Sequence, residues 1–319
     1  MTEEFTMQNR RKFVKNILIG VAGISTLSSF DIFDLVNKEK LVKLTILHTN
    51  DMHSRIDPFG PNDKKYPNQG GMSRVATLIK QIRNEESNVL LLDAGDIFQG
   101  TPYFNLFGGE IELKLMSQMK YDAGTMGNHD FDNGIDGFNN VLHNANFPFL
   151  CANYDFDETI LKGKTKPYHI IEKQGIKIGI FGIGIELDGL VDSRLYGNTI
   201  YNDPIATANK YAKLLKKEHA CNAVICLSHL GYEYESETLS DKILAKRTEN
   251  IDLIIGGHTH TFLDKAVTFL NKAGKPTLVN QAGWAALGLG RVDFYFNQEK
   301  KRIDDLNASF RPSKNYAKI

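Results

Sequence analysis

Five times between residues 44 and 260 the chain passes through a short apolar run and then presents Asp, Asn or His within a few residues. Leu44 to Leu47 leads to Asp51-Met52-His53, and Val89 to Leu92 leads to Asp96. Ala123 to Met126 leads to Asn128-His129-Asp130, Ala223 to Leu227 leads to His229, and Asp252 to Ile255 leads to Gly257-His258-Thr259-His260. Short apolar runs bounded by turn formers read as buried strands. Ligands in open α/β sheets gather at the carboxyl ends of strands. Five separated strand ends carrying the same residue types therefore predict one constellation along one sheet edge.

The segments between these runs have helical spacing. Met72 to Glu85 places Val75, Leu78, Ile79 and Ile82 on one face, and Ile111 to Met119, Ile135 to Ala145, Ile205 to Lys217 and Leu239 to Lys246 also read as helices. Phe147 to Cys151 reads as a strand, and His169 to Glu172 with Lys177 to Ile183 read as a hairpin across Gln174-Gly175. Three more strands are predicted near Ala266 to Phe269, Thr277 to Asn280 and Gly290 to Phe296. Strand–helix alternation with extra strands late indicates an α/β layered domain. With no internal repeat or low-complexity linker, residues 41–297 read as a single domain and residues 298–319 as a polar tail.

The residue types point to metal chemistry. Imidazoles suit Zn, Fe, Ni and Co, and carboxylates admit Mn, so the sequence leaves the ion's identity open. Two close divalent ions repel, and a carboxylate touching both relieves that; Asp96 is the candidate bridge. Asp51 and His53, two apart, can both turn inward from a loop, as can His258 and His260. Gly127 and Gly257 permit tight backbone geometry before a ligand. An ion pair about 3.5–4 Å apart lowers the pKa of a bridging water and clamps both oxygens of an in-line displacement. Asp132, three residues after His129, can orient that imidazole if the segment turns helically; the rival role for Asp132 is an N-cap to the helix near Ile135. His48 lies on the first strand and reads as a structural hydrogen-bonder, Arg74 as structural, and His143, His169 and His219 as surface residues.

Composition narrows the partners. Lys plus Arg and Asp plus Glu are 38 each, so the formal charge is zero, which argues against nucleic-acid binding by bulk electrostatics. Cys151, Cys221 and Cys226 form no Cys-x-x-Cys pair; they read as reduced, buried thiols rather than a disulfide framework. At the N-terminus, Asn9-Arg10-Arg11-Lys12-Phe13-Val14-Lys15 precedes an apolar stretch from Ile17 to Phe30. A basic region followed by a short apolar one is a secretory pattern, and the paired arginines resemble a twin-arginine export signal. Residues 1–40 are therefore read as an export segment and linker, with a periplasmic or cell-envelope destination. No Ala-x-Ala site follows, which leaves an uncleaved membrane tether as an alternative.

The blocks Asp51-x-His53, Gly95-Asp96-x-x-x-Gly100, Gly127-Asn128-His129-Asp130, His229 and Gly257-His258-x-His260 resemble, in order, those of the calcineurin-like metallophosphoesterase superfamily. Leu47-His48-Thr49-Asn50-Asp51-Met52-His53, Gly70-Gly71 with Arg74, Phe131-Asp132 and Gln281-Ala282-Gly283 are similar to its 5′-nucleotidase branch. The resemblance covers residues 43 to 296 and implies a four-layer αββα sandwich. It implies one metal on Asp51, His53, Asp96 and His260, another on Asp96, Asn128, His229 and His258, and a catalytic pair of His129 and Asp132. The implied reaction is hydrolysis of a small phosphoester, a nucleotide phosphomonoester first. Alternatives are a 2′,3′-cyclic nucleotide phosphodiesterase, a nucleotide-sugar hydrolase, a sulfur-ester hydrolase and a non-catalytic metal-binding scaffold. The branch carries a second, C-terminal substrate domain that this sequence does not show. The chain is therefore expected to act alone on less selective esters, to be the catalytic half of an enzyme completed by a separate C-terminal-domain protein, or to retain metal without efficient turnover.

Overall fold

The computed structural model describes residues 41–303; the export segment read at residues 1–40 and the tail from 304 onward lie outside the described residues. The chain opens with β1 (Val42–Thr49), α1 (Met72–Glu85), β2 (Val89–Asp93), α2 (Pro102–Phe107), α3 (Glu110–Gln118), β3 (Ala123–Gly124) and α4 (Gly134–Val141). It continues through β4 (Tyr154–Asp155), β5 (Tyr168–Lys173), β6 (Ile176–Ile183), α5 (Ser193–Tyr196), β7 (Ile200–Tyr201) and α6 (Pro204–Lys213). The last part holds β8 (Ala223–Ser228), α7 (Asp241–Arg247), β9 (Leu253–Gly256), β10 (Val267–Leu270), β11 (Pro276–Asn280) and β12 (Gly290–Phe296).

Two sheets result. One has the order β12-β1-β2-β3 and the other β10-β11-β9-β8-β6-β5. Strands β1, β2 and β3 are parallel, as are β6, β8, β9 and β11, while β12, β5 and β10 pair antiparallel. Side chains alternate across a strand, and the alternation sorts the core into three apolar layers. Leu44, Ile46, Leu90 and Leu92 of the first sheet meet Ile178, Ile225, Leu227 and Ile255 of the second between the sheets. Leu47 and Leu91 point the other way, onto Val75 and Ile79 of α1 and Leu113 and Met116 of α3. Phe181, Val224, Cys226 and Ile254 pack outward against Ala208 and Ala212 of α6 and Leu244 of α7. Three apolar layers between two sheets and two helical faces make the four-layer αββα sandwich.

Local signals place several boundaries. The α1 and β12 limits coincide with the apolar pattern. Helix α6 starts at Pro204, whose fixed φ suits a first helical position, after Asp203 accepts from Ala206 N at 2.6 Å. The helix expected to run to Lys217 leaves α geometry at Leu214 and finishes as a π-turn over Leu214–Glu218. The expected strand at Phe147–Cys151 is not one. Its residues change partner at each step: Leu150 N bonds Gly124 O, Cys151 N bonds Lys166 O, and Ala152 N bonds Gly182 O. Pro148 has no N–H to extend a ladder, and the segment carries the chain from one sheet to the other. Past β12 the chain turns at Asn297–Lys300, and Ile303 N returns to Tyr295 O at 2.8 Å. Among the described residues no helix is long and apolar enough to cross a membrane.

Candidate metal centre

All five strand-end segments converge on one edge. The parallel strands β1, β2 and β3 end there with Asp51, His53, Asp96 and Asn128, and β8 and β9 end there with His229, His258 and His260. Two groups can each hold a cation: Asp51, His53 and His260, and Asp96, His229 and His258, with one ligand atom from every member lying within 4.8 Å of the others. Asp96 Oδ2 connects them, at 3.0 Å from His229 Nε2 and 3.9 Å from His53 Nε2. Asn128 Oδ1 approaches His258 Nδ1 at 2.8 Å, on the second group's side.

The ligand loops are strained in a shared way. Asp51, His53, Asp96, His258 and His260 all have φ between 47° and 70°, the left-handed region that L residues usually avoid. Such conformations cost about 1–3 kcal/mol each and persist where surrounding structure enforces them. Here the enforcement is visible. Asp51 N bonds Gly95 O, His53 N bonds Asp96 O, and His258 N donates to Asp51 Oδ1 at 2.9 Å. Close packing sets two glycines: a Cβ on Gly127 would strike Asp96 Oδ1 and the His229 ring, and one on Gly257 would lie 2.7 Å from His229 Nδ1.

The donor set fits divalent cations on this geometry. His229 Nδ1 donates to Ala94 O at 2.7 Å, so its buried Nε2 is left bearing the lone pair in the neutral ring. That Nε2 lies near Asp96 without the alignment of a hydrogen bond and has no other partner. His53 Nε2 and His260 Nε2 face one another at 3.0 Å; two converging lone pairs need a proton or a cation between them. Burial disfavours charge on His229, yet Asp96 and Asp51 outweigh it and push its pKa up to about 10. Burial also opposes ionisation of Asp96, but the neighbouring imidazoles hold it below the usual carboxylate range. A proton on the His229 imidazole thus balances the buried carboxylates, and a cation can replace such a proton on binding.

His129 stands beside these groups, its ring 5.3 Å from that of His53. Its Nδ1 bonds Asp132 Oδ2 at 2.8 Å, and its side chain is 37% exposed, within reach of a substrate. The bond to Asp132 raises the His129 pKa, against partial burial. The residue before α4 is Asn133, and no side chain caps that helix; Asp132 is spent on His129.

Three features escaped the sequence. Asp130 is buried and accepts four backbone N–H groups, from Asp96, Ile97, Phe98 and Gly127, at 2.8–3.2 Å. It pins the Asp96 loop to the Asn128 loop, and its place in Gly127-Asn128-His129-Asp130 was the available signal. Asn50 donates to Asp51 Oδ2 and Gly283 O and accepts from Ala282 N, joining the first ligand loop to the last. Trp284 stacks parallel on His260 with ring centroids 5.2 Å apart. The remaining histidines fall outside the site. His48 is buried on β1, pushed down to about 3 by burial, and accepts from Asn280 Nδ2 at 3.0 Å; His143 is exposed, and His169 and His219 are half-buried. All three cysteines are free and buried.

A two-sheet sandwich whose strand ends carry paired Asp/His groups has the donor set of a two-cation centre. Residues 44–262 match the calcineurin-like phosphoesterase family, and the chain belongs to it, in the 5′-nucleotidase branch. It is 34% identical over 308 residues to the trifunctional nucleotide phosphoesterase protein of Bacillus subtilis, covering 86% of this chain and 20% of that one. It is 36% identical over 229 residues to the 5′-nucleotidase of Rattus norvegicus, covering 69% of this chain and 38% of that one. The structure resembles a 5′-nucleotidase precursor from Thermus thermophilus (TM-score 0.74, 31% identity, 82% of this chain and 53% of that one). It also resembles the NAD nucleotidase of Haemophilus influenzae (TM-score 0.72, 32% identity, 82% and 49%). The chain thus spans between a fifth and about half of the length of these proteins.

Proposed function

We propose that the chain hydrolyses phosphomonoesters, with 5′-nucleotides as the leading substrate class. One observation carries this reading: two cation-holding groups adjoin at Asp96, whose Oδ2 lies 3.0 Å from His229 and 3.9 Å from His53, while the His129–Asp132 pair stands beside them. One ion would be held by Asp51, His53, Asp96 and His260, the other by Asp96, Asn128, His229 and His258; Mn, Zn, Fe, Co and Ni all suit such ligands. Divalent cations, when bound, would supply positive charge for the phosphoryl oxygens and acidify water. His129, oriented by Asp132, donates a hydrogen bond to the phosphoryl group and passes that proton to the leaving alkoxide as a water oxygen bonds to phosphorus and the ester P–O bond breaks. Asn128 adds a polar contact for the phosphate.

A phosphoester panel on metal-analysed protein tests this: 5′-nucleotides, 2′,3′-cyclic nucleotides, nucleotide sugars and a bis-aryl phosphate. Turnover of the bis-aryl ester with none of AMP would move the assignment to diesters. Because the relatives are longer, the AMP assay is run with and without a candidate substrate-domain protein. Full nucleotide selectivity in the lone chain would sink the idea of a completing partner. The export reading rests on Arg10-Arg11 and the apolar stretch behind them; fractionation of wild type against the Arg10→Lys, Arg11→Lys double variant tests it, and an unchanged envelope pool would refute it.

A further inference from the structure

We infer that Trp284, with Tyr66, forms a subsite in this domain for a planar ring on the leaving group of the substrate, such as a nucleobase. The inference rests on the phosphoester reading and adds what the metal groups cannot provide, since cations and His129 contact only phosphate and leaving oxygen.

The placement is specific. Trp284 is parallel to His260 at 5.2 Å and lies edge-on to His53 at 6.3 Å, so the indole is one ring away from the Asp51/His53/His260 group. Tyr66 and Phe59 meet it edge-on at 6.4 and 5.9 Å. Phe59 is buried and carries Arg55 over its face at 4.0 Å, which makes it the anchor. Trp284 and Tyr66 are half-buried. Among the described residues, neither the indole N–H nor the Tyr66 hydroxyl has a hydrogen-bond partner. Two rings with apolar bodies and unused polar tips, partly open to solvent, suit a ligand that is planar and carries acceptors.

The loop beneath is held firmly. Gln281 Oε1 accepts from Thr261 N, Ala282 N bonds Asn50, Gly283 N bonds Thr261 O, and Ala285 N bonds Asp51 O at 2.7 Å. Ala285 and Ala286 are both left-handed, with φ of 54°. Strain of that kind, in non-glycine residues tied to a metal-ligand loop, is retained where a side chain must be aimed. The ties fix the Trp284 ring relative to the phosphate site, as a specificity element requires.

AMP and ribose 5-phosphate share the same 5′-alkoxide leaving group and differ in the base, so the ratio of their kcat/KM isolates the ring's contribution. The metal-loaded wild type is expected to favour AMP by on the order of tenfold, the range of a base–aromatic stack. Trp284→Ala and Tyr66→Ala should each pull the ratio toward one, and Trp284→Phe should keep most of it. Tyr66 does not touch His260, so its variant separates ring binding from support of a metal ligand. A wild-type ratio near one, or a ratio unmoved by both alanine variants, overturns the inference. Equal losses on both substrates with loss of metal in Trp284→Ala also overturn it, because the indole would then serve His260 alone. If neither ester is hydrolysed, the phosphomonoester reading fails and a second measurement decides this one. Trp284 is the chain's single tryptophan, so its fluorescence reports the subsite. Saturable quenching by adenosine and none by ribose 5-phosphate supports the subsite; no quenching by adenosine rejects it.

Discussion

Each cation-holding group has two buried members and one half-buried histidine, and the two differ in what holds that histidine. In the group of Asp96, His229 and His258, the closed one, His258 is fixed by Asn128 Oδ1 at its ring and by Asp51 at its backbone N–H, beside the fully buried His229 and Asp96 at 2% exposed. In the group of Asp51, His53 and His260, the open one, Asp51 and His53 are buried, while the His260 side chain is 37% exposed and leans on Trp284. The closed group is set by hydrogen bonds inside the sandwich, the open one by a loop and a ring at its surface. The difference predicts which half releases its ion first.

The largest effect is expected where the halves join. Asp96→Ala should strip both ions and reduce turnover to background, read by elemental analysis; a fully metallated variant would refute the bridging role. His129→Ala should lower turnover about 10²- to 10⁴-fold with metal content near that of wild type. Metal loss in that variant would show His129 to be a ligand. Asp130→Ala removes the acceptor of four backbone N–H groups and should weaken metal affinity roughly 10- to 100-fold, mainly at the closed group; an unchanged titration would remove Asp130 from the site's support. Brief chelation should release one equivalent of ion before the other, with His260→Ala accelerating only the first phase. Simultaneous release in both proteins would erase the distinction between the groups.

The smallest effect lies beneath the closed group. Burial raises the Asp93 pKa to about 8, against donors from Thr49 and Gly95. A folded-state pKa above the unfolded value of about 3.9 keeps the proton on in the native state, so the contribution to stability is full below pH 4. It declines as pH rises toward 8 and then levels off. Asp93→Asn should flatten that part of the Tm-against-pH curve, and an identical slope would show that Asp93 is ionised in the fold.

Much of this was legible along the chain. Helix α1 was readable because Val75, Ile79 and Ile82 recur at helical spacing, and the β5–β6 hairpin because Gln174-Gly175 interrupts two extended runs. The candidate ligands were readable because each follows an apolar run that reads as a buried strand. Helix α2 was not: its six residues begin at Pro102 and leave Leu106 75% and Phe107 47% exposed, so no apolar stripe marks them. Phe147–Cys151 has strand composition, but its hydrogen bonds are decided by three partners distant in sequence. The role of Asp130 was hidden because its partners are backbone N–H groups, which every residue but proline carries.

By itself the sequence determined which residues reach the sheet edge, since the apolar pattern sets where each strand ends and which side chains come next. Only the tertiary structure decided how those residues group. His229 meets Ala94 across 135 residues, and His258 meets Asp51 across 207. Those meetings depend on how two sheets stack over a shared apolar layer. The same stacking selects the free ring nitrogen of His229, holds five ligands in left-handed backbone, and sets Trp284 against His260 at the open side of the site.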